Sequence, residues 1–305
     1  MPFRVTILGS SSALPTANRF PSAHLLTIDE RFFLIDCGEG TQIQLRRLNT
    51  KMGRINHIFI SHLHGDHVFG LPGLISTFTL LNRTSDLHIF AFAELQEMLE
   101  RQFLYLRKEM SFRIIYHPLS NDAPHVIHED TKLTVTSIPL KHSIPCCGFL
   151  FAEKERLRNI IKTKIEEYNI PRKEILNIKK GADFITDDGR TIPNTELTVQ
   201  THIPLRYGFC SDTGFNPSIV PLIRNAHLLY HEATFLNKDA KTAKQTLHST
   251  AEQAAKIAQM ASVKQLVIGH FSSRYKSDLQ FLEEAKAVFP ATILAQDGLT
   301  ISITS

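Results

Sequence analysis

Short apolar runs, punctuated by turn residues, recur along the whole chain and have the length and aromatic or β-branched content of strands. In the first half they are Arg4–Leu8, His24–Ile28, Phe32–Ile35, His57–Ile60, Leu87–Phe92 and Leu133–Ile138. Gly148–Phe151, Tyr207–Cys210, Leu228–Tyr230, Gln265–Ile268 and Thr292–Leu294 continue the series. Between these runs the spacing predicts helices near Thr41–Leu48, Ala93–Lys108, Ala251–Met260 and Ser277–Val288. Strands interleaved with helices argue for a layered α/β fold rather than a pure sandwich of strands. No internal repeat is visible, although two β-rich halves fit the pattern.

One stretch breaks this rhythm. From Glu153 to Pro193 the chain is charged, turns through Ile170-Pro171-Arg172-Lys173 and closes on Thr186-Asp187-Asp188-Gly189-Arg190. A helix over Glu153–Tyr168 is expected, with a thin apolar stripe of Leu157, Ile160, Ile161 and Ile165. Such a stretch reads either as a solvated surface insertion or as an arm that meets a partner.

Composition narrows the class. With 43% hydrophobic and 21% charged residues among 305, the chain can bury a sizeable core as one large domain or two modest ones. The N-terminal Met1-Pro2-Phe3-Arg4-Val5-Thr6-Ile7-Leu8-Gly9 reads as a strand, not a secretory leader, and no apolar run is long enough to span a membrane. Four cysteines (Cys37, Cys146, Cys147 and Cys210, two of them adjacent) do not make a secreted disulfide scaffold, so a soluble cytoplasmic protein is expected. The formal charge of +4 permits a nucleic-acid partner without demanding one. Nine basic and five acidic residues between Glu153 and Lys180 account for that excess, which places it on the proposed arm.

Fifteen histidines shift attention to metal chemistry, since imidazole is the commonest metal ligand. Ser61-His62-Leu63-His64-Gly65-Asp66-His67 follows the apolar strand Ile58-Phe59-Ile60 directly. Residues two apart share a face of extended chain, so His62 and His64 point one way, and Asp66 and His67 fall at the following turn. Four ligand-type side chains in six positions are too many to be core packing, because each would need its own buried partner. His142, Asp212 and His270 each stand just past the end of another apolar strand. Singly, each is also what a capping Asp or an ordinary His looks like. Together they occupy the strand ends where active sites collect in α/β folds.

His-x-His-x-Asp-His followed in order by His142, Asp212 and His270 is similar to the metallo-β-lactamase fold. Within it the chain resembles the ribonuclease Z family of tRNA 3′-processing endoribonucleases. The shared motifs are Asp36-Cys37-Gly38-Glu39-Gly40-Thr41-Gln42, Ile60–His67, His231-Glu232-Ala233-Thr234-Phe235, His248-Ser249-Thr250 and Gly269-His270-Phe271-Ser272-Ser273-Arg274-Tyr275. They span nearly the whole chain. The resemblance implies a four-layer αβ/βα sandwich over residues 1–305, with the arm at about 153–193 inserted in it.

It also implies two zinc ions per chain, the first held by His62, His64 and His142, the second by Asp66, His67 and His270, with Asp212 bridging. Imidazole and carboxylate ligands suit a borderline cation, and zinc is expected over manganese. Asp66 would also orient or deprotonate the attacking water. His248 would be the acid for the leaving 3′-oxygen, oriented by Glu232. Arg19 and Arg274 would receive phosphates. The family's Asn after the first of these arginines is replaced by Phe20-Pro21, and the arm keeps Ile170-Pro171 without the family's Gly-Pro pair. The implied activity is removal of 3′ trailers from precursor tRNA, leaving a 3′-hydroxyl, by a homodimer. A general phosphodiesterase of the same fold and a non-catalytic RNA-binding protein are the alternatives.

Overall fold

The computed structural model describes residues 3–104 and 109–304. The chain opens with strands β1 (Phe3–Gly9), β2 (Ala23–Ile28) and β3 (Arg31–Ile35), then helix α1 (Thr41–Arg47). Next come β4 (Ile55–Phe59), α2 (Gly65–Val68), α3 (Leu71–Leu80), β5 (Leu87–Ala91), α4 (Glu94–Gln102) and β6 (Ile114–Pro118). Strands β7 (Val126–Glu129), β8 (Leu133–Pro139) and β9 (Cys147–Glu153) lead into the charged stretch. That stretch holds β10 (Asn159–Ile160), α5 (Lys162–Glu167), α6 (Ile175–Lys179), β11 (Phe184–Ile185), β12 (Thr191–Ile192), α7 (Asn194–Leu197) and β13 (Thr198–Val199). The chain then runs through β14 (Arg206–Cys210), α8 (Val220–Ile223), β15 (Leu228–Glu232), α9 (Ala240–Thr246), α10 (Ala251–Met260) and β16 (Gln265–Gly269). It ends with α11 (Leu279–Val288), β17 (Thr292–Leu294) and β18 (Thr300–Ser302). The end of the expected helix Ala93–Lys108, at 105–108, lies outside the described residues, as do Met1 and Pro2 of the expected first strand.

Two seven-stranded sheets form among the described residues, in the orders β18-β1-β2-β3-β4-β5-β6 and β17-β16-β15-β14-β9-β8-β7. In the first, β3 to β6 run parallel, and in the second β14 to β17 do. Strands β2 and β15 are buried at every position, because both faces are covered there. One face of the first sheet offers Leu34, Ile58 and Ile89 to Leu45 of α1, Leu74 and Phe78 of α3 and Leu95 and Leu99 of α4. One face of the second offers Leu229, Leu266 and Ile268 to α8, α10 and α11 through Ile223, Ile257 and Phe281. The sheets meet through an aromatic layer in which Phe59 lies 5.5 and 5.3 Å from Phe149 and Phe151, and His24 lies 4.3 Å from Tyr230. Helix, sheet, sheet and helix give the four-layer sandwich.

Contacts divide the described chain into two compact units: residues 3–130, 134–152 and 205–304 form one, and 131–133 with 153–204 form the other. The second extends about ten residues beyond the expected end at Pro193. Its core is Ile170, Ile178, Phe184, Ile192 and Leu197, flanked by Ile160, Ile165 and Tyr168. Asn194 ties this core together, donating from Nδ2 to the carbonyls of Ile178 (2.6 Å) and Ala182 (2.8 Å). The long helix expected over Glu153–Tyr168 does not form. Asn159 and Ile160 pair with Val199 and Thr198 as strands instead, leaving helix only at Lys162–Glu167. The apolar stripe was too thin to hold four turns against that pairing.

Candidate metal centre

The loop after β4 carries His62 and His64, and α2 begins at once with Gly65, which puts Asp66 and His67 in its single turn. His142 follows β8, Asp212 follows β14, and His270 follows β16. All seven side chains converge. His62 Nε2 and His142 Nε2 stand 3.1 and 3.2 Å from His64 Nδ1, and Asp212 Oδ2 is 3.6 and 3.9 Å from those two Nε2 atoms. On the other side, Asp66 Oδ2 is 3.4 Å from both His67 Nε2 and His270 Nε2. Asp212 Oδ1 completes that group, 3.7 Å from His67 and 3.2 Å from His270. One oxygen of Asp212 therefore belongs to each cluster.

The donor set fits divalent cations. Ligands held about 2.0–2.2 Å from a tetrahedral ion sit roughly 3.3–3.6 Å apart, close to these separations. The outer ring nitrogens are already committed. His67 Nδ1 bonds Asp36 at 2.7 Å, His142 Nδ1 bonds the Leu247 carbonyl at 3.2 Å, and His270 Nδ1 bonds Thr234 Oγ1 at 2.9 Å. Each arrangement leaves an Nε2 lone pair facing inward. His67 Nε2 is fully buried with no hydrogen-bond partner, facing carboxylate oxygens that are also acceptors. Lone pairs converging in this way call for a cation.

The electrostatics say the same. Burial disfavours an imidazolium at His67, yet Asp36, Asp66 and Asp212 outweigh it and hold the ring well above the ordinary imidazole range. At His62 burial wins, helped by the neighbouring His67, and the ring is held well below that range. Burial also opposes charge on Asp66 and Asp212, but the surrounding histidines keep both carboxyls ionised. The three carboxylates thus make this pocket favour positive charge.

His248 lies beside this centre, at the start of the turn that leads into α10. Its Nδ1 is 2.9 Å from Glu232 Oε1. Glu232 is fully buried at the end of β15, and Oε1 also accepts from the backbone N–H groups of Thr213 (3.1 Å) and Ser249 (3.0 Å). Its Oε2 accepts from Thr234 N and Oγ1 at 2.9 and 2.8 Å. Burial opposes a charged His248, but Glu232 more than offsets it and raises the imidazole to about 9. A ring that stays protonated at neutral pH, with one nitrogen anchored, is suited to donate from the other.

Ser12, Ala13, Asp66, Asp212, Phe235, His248 and His270 line an open cavity of about 480 Å³ over the centre. Arg19 and Arg274 are not among its lining residues. Arg19 pairs with Asp278, and Arg274 stacks its guanidinium 4.8 Å from the Phe235 ring that forms part of the wall. Two residues lacked any assigned role in the sequence reading. Asp36 fixes His67, and Thr234 links Glu232, His248 and His270. Both sat inside the quoted motifs, and their roles emerge only from contacts with residues far along the chain.

Residues 3–158 match the family described as Anti-Pycsar protein Apyc1. A protein of Bacteroides fragilis named Ribonuclease Z is 49% identical over 301 residues, 99% of this chain and 99% of its own. One of Bacteroides thetaiotaomicron with the same name is 48% identical over 303 residues, 99% of this chain and 96% of its own. Among solved structures, the short form of human tRNase Z superposes with a TM-score of 0.73 at 28% identity, covering 99% of this chain and 100% of that one. The metallo-β-lactamase fold protein YhfI of Bacillus subtilis superposes at 0.70 with 19% identity over 99% and 100% of the chains, a likeness of fold.

Proposed function

This chain belongs to the ribonuclease Z family, and over residues 3–158 also to the family described as Anti-Pycsar protein Apyc1; from that premise we propose that it is a metal-dependent endoribonuclease that removes 3′ trailers from precursor tRNA. The observation that carries this is the pair of ligand clusters sharing Asp212, with His248 anchored by Glu232 beside them. Two zinc ions would fit the clusters: His62, His64 and His142 would hold one, Asp66, His67 and His270 the other, and Asp212 would serve both. Ions bound there supply Lewis-acid activation of water and neutralise charge on the phosphate. Asp66 orients the attacking water and takes its proton. His248 gives its proton to the departing 3′-oxygen, and Glu232 holds the ring at the angle that transfer needs. Arg19 and Arg274, outside the cavity lining, remain the proposed phosphate contacts.

The second compact unit contributes charge. A groove of about 580 Å³ in it is lined by Arg156, Arg158, Lys179 and Lys180, which supports phosphate contacts to the body of a tRNA. We read residues 1–305 as one catalytic domain with this inserted arm, acting as a cytoplasmic homodimer. Among the described residues no helix is long and apolar enough to cross a membrane.

Incubation with a precursor tRNA and with a small aryl phosphodiester, with and without chelator, tests the reading. Precursor cleaved to a mature 3′-hydroxyl, abolished by chelator and restored by zinc, is expected, with two zinc ions per chain by elemental analysis. His248→Ala should keep its metal and lose about 10²–10⁴-fold in turnover. Cleavage of the small ester alone would move the protein to the general phosphodiesterases.

A further inference from the structure

A second cavity adjoins the metal centre and shares one wall with it. It encloses about 560 Å³ and is lined by Lys141, Phe215, Lys241, Lys244, Leu247 and His248, among others. His248 also lines the cavity over Asp66, Asp212 and His270, so this residue borders both. The walls are firmly built. Lys141 donates its backbone N–H to Thr213 Oγ1 (3.1 Å), and its carbonyl accepts from Gly214 N (2.9 Å). Leu247 turns through φ 56°, which lets the backbone N–H of His248 reach back to the Ala243 carbonyl at 2.9 Å and fixes α9 to the imidazole's own residue.

The lining sets three lysines beside an aromatic ring. Lys241 and Lys244, three residues apart, share a face of α9. Neither these two nor Lys141 has a carboxylate in ion-pair distance among the described residues. Phe215 remains 38% exposed beside them. Cations without protein partners next to an open aromatic face suit a phosphate and a stacked base.

We propose that this cavity receives the nucleotide on the 5′ side of the scissile bond, the one whose 3′-oxygen leaves. The inference rests on the ribonuclease reading. In the reaction a water oxygen forms a bond to phosphorus while the bond from phosphorus to the 3′-oxygen breaks. The bonding pair stays on the 3′-oxygen, which takes a proton from His248, and the water's proton passes to Asp66. The departing nucleotide therefore lies on the His248 side, where the second cavity opens. Its base stacks on Phe215, and the phosphate on its 5′ side meets Lys241 and Lys244.

The test compares wild type, Phe215→Ala, Phe215→Tyr, the double variant Lys241→Ala/Lys244→Ala and the surface control Lys286→Ala. Each is assayed on a precursor tRNA and on bis(p-nitrophenyl) phosphate, with melting curves and zinc content checked alongside. The ratio of kcat/KM for precursor over small diester should fall about tenfold or more in Phe215→Ala and in the double variant, mainly through KM. Phe215→Tyr should restore it, and Lys286→Ala should not change it. Mature tRNA should inhibit both defective variants about tenfold less well, with inhibition by the 5′-phosphorylated trailer unmoved. An unchanged ratio in a wild-type background that cleaves precursor would overturn the subsite alone, as would weakened trailer inhibition in place of weakened tRNA inhibition. A wild type that cleaves only the small diester would overturn the ribonuclease reading, and this inference with it.

Discussion

At Asp36 the backbone turns through φ 56° directly after β3, a conformation that residues with a Cβ adopt at some cost. What it gains is position. The carboxylate accepts from Ser61 N (2.8 Å), Ser61 Oγ (3.0 Å) and His67 Nδ1 (2.7 Å), so one buried side chain fixes both the loop after β4 and the tautomer of a proposed ligand. Asp36→Asn keeps the volume and removes the charge. Zinc affinity, measured by competition with a chelator, should drop by about 10–100-fold while the fold persists. Unaltered affinity would mean that His67 is oriented by the loop alone. The proposed ligands, by contrast, were legible in the sequence because four of them crowd into six positions and the rest share one placement. Nothing local in Asp36 or Thr234 separates an orienting residue from an ordinary turn residue.

Among the elements, α10 shows most directly how sequence sets structure near the site. Thr250 accepts from Gln253 N at 3.2 Å, and the Gln253 side chain accepts from Thr250 N at 3.0 Å, a reciprocal cap that fixes where His248-Ser249-Thr250 becomes helix. Thr250→Ala should cost about 1 kcal/mol in urea unfolding, and a loss indistinguishable from zero would assign the helix start to packing instead. This helix is predicted at its observed bounds, and every strand predicted from an apolar run is present, since strands packed between two layers, parallel or antiparallel, write near-continuous apolar stretches. Elements without such a signature were missed. Helix α3 opens Leu71-Pro72-Gly73, of which Pro72 and Gly73 read as breakers, yet Pro72 sits in the first turn where its missing N–H costs nothing. The edge strand β18 is three residues long and only Ile301 in it is buried, so it is defined by its partner β1 rather than by its own pattern.

For the molecule as a whole, the two sheets hold half-buried imidazoles that are not part of the candidate metal centre. His57 lies 5.1 Å from His88 and 4.6 Å from His128 of the opposite sheet, and His88 Nδ1 meets His117 Nε2 at 2.9 Å. Burial, then the neighbouring His128 and His88, lowers His57 to about 3, and burial also lowers His128 and His117. Unfolded imidazoles titrate near 6.5, so below that pH the unfolded chain binds protons that the folded one refuses. Stability is therefore intact above about 6.5 and is lost as pH falls towards 3. His57→Phe should spare about 1–2 kcal/mol of the loss between pH 7.5 and pH 5, read from urea melts, and an acid slope equal to that of wild type would clear the cluster of this role. The shared carboxylate of Asp212 has a consequence of a different kind. The proposed ligands come from four strand ends in two sheets, and they can meet only after the second sheet has docked on the first. An ion that binds such a set rewards only the finished chain. If the proposed centre binds its ions, metal loading doubles as an inspection of folding, and a copy with one strand out of place should stay both unloaded and inactive.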